Sequence, residues 1–443
     1  MKNLPRSLFI ALGLTGISGA ASANSFNINE HDARVTGRGG AAAASDDDAS
    51  AIVFNPGGLA LVTGTEILIG GSLYIAEGSY ENATTPTVRT DSPPQPVPNI
   101  YIASRVHDMF AVGVGVHFPF GLAVSYPEGH PQATVAQDSA LQTAFITPTV
   151  AINLHKQVPG LSIGVGLDIV PASVELKRAV VFGDARGSVD LAADTVGVGW
   201  RAGVMYHPPA VKGLKLGVMY RGQVPLDFKG QADFDIADPY RGQLPPDGDA
   251  STTINLPRSV WGGVAYGVNN LEVEVNAVWI NWAKTFTEDP DRGADATSLS
   301  LALPGGQTSN VPEDYKNTLT WRLGLDYRVQ GYKRPMSLRA GIIYDPTPIP
   351  TTTQTAQLPD VDRVALTFGG GMQVTSSVAV NVSGLWIPHL TRDSSSDPAV
   401  PIFHGTYGVD ALVLSVGING RFGATTKPTT DGNATVARKE AGR

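Results

Sequence analysis

The chain has 443 residues, no cysteine and a formal net charge of -8. The absence of thiols excludes a disulfide framework and a thiolate metal site. The acidic balance argues against nucleic acid as the main partner, because phosphate binding wants a basic face.

The chain opens MKNLPRSLFIALGLTGISGAASANSF. Lys2 and Arg6 give a positive start, Leu8 to Leu14 a short apolar run, and Ala21-Ser22-Ala23 a small-x-small cleavage site. Together they predict a secretory signal peptide over 1–23. The apolar run is too short, and too rich in Gly and Ser, for a stable membrane anchor. No later run reaches the roughly 18 apolar residues of a membrane helix, so an exported soluble protein or a β-barrel remains.

Residues 45–62 read SDDDASAIVFNPGGLALV, an apolar strip cut by Asn55-Pro56-Gly57-Gly58. A helix interior does not tolerate Pro56 and two glycines, and a central strand would lose its ladder at Pro56. The acidic run Asp46-Asp47-Asp48 lacks the alternating D-x-D-x-D spacing of a calcium loop. It reads as solvated or arginine-paired, with no metal.

From residue 110 the chain alternates. FAVGVGVHF sets Val112, Val114, Val116 and Phe118 against Ala111, Gly113, Gly115 and His117. HFPFGLAVSY then places Pro119 and Gly121 inside a strand pattern, where they mark a bulge or bend. VGVGWRAGVMY sets Val196, Val198, Trp200, Ala202, Val204 and Tyr206 against Arg201. LKLGVMYRG, LEVEVNAVW, LTWRLGLDYRV and LVLSVGINGRF repeat the pattern and carry Lys215, Arg221, Glu272, Glu274, Arg322 and Asp326 on the polar side. Period 2 puts alternate residues on opposite faces of a sheet.

A soluble sandwich would alternate too. Three features favour an all-β, transmembrane antiparallel β-barrel. The segments run about nine to eleven residues, enough for a tilted strand to cross a bilayer. The polar face is charged and Gly-rich, as a narrow lumen would be. Long turn-rich spacers suit external loops. In hydrocarbon such strands must close on themselves. The reading divides the chain into a signal peptide (1–23), a pre-barrel segment (24–64), a barrel (65–422) and a polar, disordered tail (423–443).

These residues resemble the outer-membrane long-chain fatty-acid transporter (FadL) family, which also includes aromatic-hydrocarbon channels. The likeness starts at NSFNINEHDARVTGRGGAAAASDDDASAIVFNPGGLA and continues in VPNIYIASRVHDMFAVGVGVHFPFGLAVSY, INLPRSVWGGVAY, INWAKTF and RAGIIYDPTPIPTTTQTAQLPDVDRVALTFGGG. It implies about 14 strands, with 24–64 as an N-terminal hatch plugging the barrel and Asn55-Pro56-Gly57 as the hatch turn. Gly57 stands where the family has Ala. The resemblance further implies a substrate carboxylate read by Arg178 and Lys316, and Phe26 reaching into the binding pocket. A kink at Pro119, Phe120 and Gly121 would open the wall sideways.

The implied function is passive uptake of a hydrophobic small molecule, long-chain fatty acid first, across the bacterial outer membrane by a monomer in contact with membrane lipid. No cofactor is expected, since no GxxxxGK phosphate loop is present. Arg201, Arg322 and Arg339 are expected in lumen charge networks with Asp326, Glu272 and Glu274. Two alternatives are aromatic-hydrocarbon uptake and an outer-membrane lipid hydrolase. The hydrolase lacks H-E-x-x-H and G-x-S-x-G, leaving only a dispersed triad. A soluble exported binding protein would extract without detergent.

Overall fold

A computed structural model describes residues 25–238, 240–395 and 404–423. The signal peptide expected over 1–23 and nearly all of the tail expected over 423–443 lie outside the described residues.

Fourteen wall strands pair in a closed antiparallel ring. In chain order they are Thr65–Glu81, Gln95–Arg105, Phe110–His117, Phe145–Asn153, Leu161–Phe182, Ala185–Tyr206 and Leu214–Arg221, then Ser259–Val268, Leu271–Ile280, Thr318–Val329, Met336–Asp345, Arg363–Gln373, Val378–Asp393 and Thr406–Phe422. The last strand pairs back onto the first, from Thr65↔Phe422 to Glu81↔Thr406. The ring therefore closes on itself, as a membrane barrel requires.

The alternation decides which side of each strand faces out. Trp200 is 52% exposed and its neighbour Arg201 only 1%. Val196, Val198 and Val204 lie on the exposed side with Trp200, as do Val112 and Val114, Leu323 and Leu325, Leu414 and Val416 on their own strands. Such an apolar belt running around the ring suits hydrocarbon and not water. Phe118 departs from the expected face. Its strand stops at His117, and Phe118 is buried.

Several strands exceed the nine to eleven residues of their alternating segments. Leu161–Phe182 and Ala185–Tyr206 each run 22 residues and join at Gly183, whose φ is +58°. The apolar period marks only the part that meets lipid, and the polar remainder (175–194) continues the ladder beyond it. Val224–Asp235, Gly248–Leu256 and the hairpin Thr297–Leu303/Gln307–Pro312 extend this outer end as a cap. The opposite end is closed by short turns such as 269–270 and 374–377, the pattern of a periplasmic rim.

Residues 25–62 are almost wholly buried inside the ring. They form two single-turn helices, Ala33–Thr36 and Ala51–Phe54, and a 3-10 turn, Pro56–Leu61. This resolves the break in the apolar strip. Pro56 starts the 3-10 turn, where a missing N–H costs nothing. The Asn55 side chain caps it by accepting from Gly57 N at 3.0 Å. Asn55 Nδ2 also donates to Ala43 O at 2.6 Å and to the wall at Val204 O, 3.1 Å. Elsewhere the segment meets the wall through Ala42 N to Asn276 Oδ1 (2.9 Å), Gly39 N to Thr367 Oγ1 (2.9 Å) and Tyr101 OH to His31 O (3.0 Å).

The charges inside the ring are mostly paired. Arg34 holds the acidic run, with Asp47 at 2.9 Å, Asp48 at 3.2 Å and Asp46 in direct contact. Arg339 pairs with Asp326 at 2.7 Å, as expected. Two other expectations are corrected. Arg201 pairs with Asp168, while Glu272 and Glu274 go to Arg38, with Lys215 also on Glu272. Pairing across a barrel depends on which strands the ring brings together, and that is not visible in the alternation.

Candidate functional site

The wall is interrupted at one place. Phe110–His117 ends where Pro119 cannot donate to a ladder, and the chain resumes as the strand Gly121–Ser125. That strand does not return to its former neighbour. It pairs inward with Asp138–Thr143, which itself lies on Leu161–Phe182. Residues 95–99 of the neighbouring strand are therefore laddered only on the Thr65–Glu81 side among the described pairings.

The N-terminal segment takes hold of this kink. Ile28 N donates to Pro119 O and Gly121 N to Phe26 O, both at 2.9 Å, with a bridge between Asn27 and Phe120. The Phe26 ring then lies against Phe120 at 5.9 Å and edge-on to Trp282 at 5.2 Å. Ser25 N is held by Asp360 Oδ2 at 2.9 Å, and the Ser25 hydroxyl meets Tyr315 OH at 3.4 Å. Burial raises the Asp360 carboxyl to about 7.

Above Phe26 lies a narrow, mostly apolar cavity. Leu122, Leu141, Val174, Leu176, Ile254 and Phe286 form much of its wall. Three polar groups converge on it. Gln357 lines it and accepts from Arg178 Nη2 at 2.9 Å. Tyr315 lines it and shares a hydrogen bond with Glu313. Glu313 itself is buried in the lining, and burial pushes its carboxyl up to about 8, against the attraction of Arg178. Thus at neutral pH Glu313 is mostly protonated, and Arg178 carries the charge.

Arg178 faces inward and has no ion pair among the described residues; its one hydrogen-bond partner is the Gln357 amide. Lys316 is placed differently. It is exposed and does not line the cavity. Glu313 and Asp360 were not among the candidates read from sequence. A second, open cleft lies outside the kink, lined by Gln95, Ser125, Asp138 and Lys177, and it shares Ala140 and Leu176 with the inner cavity. Those shared side chains form a partition between the two spaces.

Comparison with known proteins agrees with this architecture. The family model described as outer membrane protein transport protein (OMPP1/FadL/TodX) matches residues 14–422. A long-chain fatty acid transport protein of Salmonella typhi is 25% identical, over 89% of this chain and 91% of its own. Outer membrane protein P1 of Haemophilus influenzae is 23% identical, over 86% and 89%. Among solved structures, a Pseudomonas aeruginosa FadL homologue superposes with a TM-score of 0.77 at 18% identity, covering 90% of this chain and 100% of that one. The Ralstonia pickettii toluene transporter TbuX gives 0.68 at 17% identity, covering 89% and 99%.

Proposed function

The chain belongs to the family of outer membrane transport proteins that groups OMPP1, FadL and TodX, and from that premise we propose that its substrate is a long-chain fatty acid. It is an outer-membrane transporter of hydrophobic molecules, not an enzyme, as the members of that family are. The carrying observation is Arg178, a cation without an ion pair among the described residues, which stands behind the cavity lining and is joined to it by its hydrogen bond to Gln357. Each buried CH₂ of an alkyl tail contributes about 0.8 kcal/mol, so the cavity supplies affinity. The substrate carboxylate needs a partner when it leaves water, and a guanidinium offers a bidentate one.

In this reading residues 25–62 are the hatch, and Phe26 is the movable floor of the pocket. The substrate is captured above Phe26 and leaves sideways. Its exit runs between Ala140 and Leu176 into the outer cleft beside Pro119, Phe120 and Gly121. Release into the lipid layer needs no energy source, so uptake is passive diffusion. Lys316, exposed near the mouth, attracts the anion without holding it.

The test is binding of a radiolabelled long-chain fatty acid to detergent-purified protein. Arg178→Ala is expected to weaken it by about tenfold or more, in line with one lost charge-assisted pair. Lys316→Ala is expected to slow capture and leave the equilibrium constant nearly unchanged. The aromatic floor of Phe26, Trp282, Phe286 and Tyr315 favours a second reading, aromatic-hydrocarbon uptake. Binding displaced by toluene and indifferent to Arg178→Ala would move the assignment there.

Glu313 sets a pH dependence. Its carboxyl stays neutral below about 8 and turns anionic above it, beside the substrate's own carboxylate. Fatty-acid affinity is therefore expected to fall as pH rises from 7 to 9, and Glu313→Gln to flatten the profile. The sign for stability is the same. A carboxyl raised in the folded state contributes most below its unfolded pKa, near 4.3, and that contribution is lost as pH rises through about 8.

A further inference from the structure

Beside the kink the lumen holds a second guanidinium with no ion pair among the described residues. Arg221 ends the strand Leu214–Arg221 and is 6% exposed. Its guanidinium carbon sits 4.6 Å from the centre of the Phe120 ring, on the kink. Its Nε has no partner, and no hydrogen bond or ion pair of Arg221 is found among the described residues. Two neighbouring inward arginines differ, since Arg201 has Asp168 and Arg363 has Asp345 at 2.6 Å; Arg322 also has no ion pair among the described residues but donates to Gly40 O at 3.2 Å.

The register makes the position costlier. Arg221 lies directly opposite Arg201 on the paired strand, and like charges placed so repel. Asp168 already accepts from Arg201 and from Thr147 Oγ1. A buried cation facing another cation, with its nearest acid committed elsewhere, is a site lacking its anion.

We infer that Arg221 is a second carboxylate-binding station, at the kink and covered by Phe120. This rests on the fatty-acid reading for the identity of its ligand. Phe120 touches both Phe26, at 5.9 Å, and Phe145, at 6.1 Å, so a shift of Phe26 uncovers the face of the site. A carboxylate that leaves Arg178 toward the opening beside Pro119 would then meet a second guanidinium at the kink. Hand-over between two cations avoids a bare carboxylate in an apolar space.

The probe is hexanoate, with hexanol as its uncharged counterpart, and the readout is the thermal midpoint of the detergent-purified chain. Hexanoate is expected to raise the midpoint of the unmutated protein and of Arg178→Met by roughly 2 °C or more. Arg178→Met/Arg221→Met should lose the shift, and hexanol should move none of them. A hexanoate shift that survives in Arg178→Met/Arg221→Met, or that is absent from Arg178→Met, overturns the site. If that double variant does not fold, Arg178→Met/Arg221→Lys decides: the shift should shrink, and an undiminished one counts against the site. Palmitate binding, measured in parallel, separates the two readings. A hexanoate shift that needs Arg221, without palmitate binding, leaves the anion site standing and removes the fatty-acid assignment. Palmitate binding without the shift does the reverse.

Discussion

Gly203→Val is expected to unseat the N-terminal segment buried in the ring and to raise the conductance of the barrel. The residue faces inward on Ala185–Tyr206, against the Asn55-Pro56 turn. A Cβ there would lie 2.0 Å from Asn55 Oδ1 and 2.9 Å from Pro56 Cδ, so the turn must move. Asn55 would then lose the geometry of its bonds to Ala43 O and Val204 O, and of the cap on Gly57. Each buried group left without a partner costs about 1–3 kcal/mol, and overpacking adds a similar amount. A shift of about 3 kcal/mol multiplies the unseated population roughly 100-fold. Single-channel recording in planar bilayers reads this directly. Gly262→Val is the control, because a Cβ there meets nothing within 4 Å. Equal, silent traces for both variants would show that the turn does not seal the lumen.

The barrel was legible because its lipid boundary writes a period of two into the chain. Val112, Val114 and Trp200 had to be apolar, whatever lay inside. The lumen was legible only in part. Inward glycines suggested a narrow channel, but their physical role is closer contact. A Cβ at Gly217 would sit 1.8 Å from Ala43 O, so bare backbone is what admits the N-terminal segment. Chain spacing argued against a calcium loop and left the aspartate run solvated or arginine-paired; Arg34, 12 residues from Asp46, decides for pairing.

Longer-range partners left no such trace. Ser25 meets Asp360 across 335 residues, and Arg178 meets Gln357 across 179. Glu313 sits in a stretch, VPEDYKN, that reads as an ordinary polar loop. It becomes a pocket residue only when the cap folds over it. Arg221 looked like one more lumen base, because the alternation says which way a charge points and not whether a counter-ion awaits it. The bend at Pro119 and Gly121 was legible in the strand pattern, while the role of Phe26 and of the kink as an opening came only from family resemblance; the backbone pairing that joins them could not be read from either stretch alone.

The bracket between wall and hatch supplies the other large effect. Asp168 accepts from Arg201 Nε at 3.0 and 3.2 Å and from Thr147 Oγ1 at 2.7 Å, and it lies 2.9 Å from Arg201 Nη2. The same guanidinium donates to the hatch at Ile52 O (3.3 Å) and Val53 O (3.2 Å), and to His117 Nε2 at 3.2 Å. Every face of the Arg201 head is thus used, and both members of the pair are fully buried. Asp168→Ala is expected to cost about 3–5 kcal/mol, because it leaves a second uncompensated cation directly opposite Arg221. The thermal midpoint of the detergent-purified protein should fall clearly. The double change Asp168→Leu/Arg201→Met removes both charges at once. It should recover most of the loss, since a buried pair is rarely worth more than the apolar side chains that replace it. Recovery would identify the unpaired charge as the cause. A double variant as weak as the single one would place the stabilisation in the two hatch carbonyls that Arg201 holds, and conductance should then rise in both variants alike.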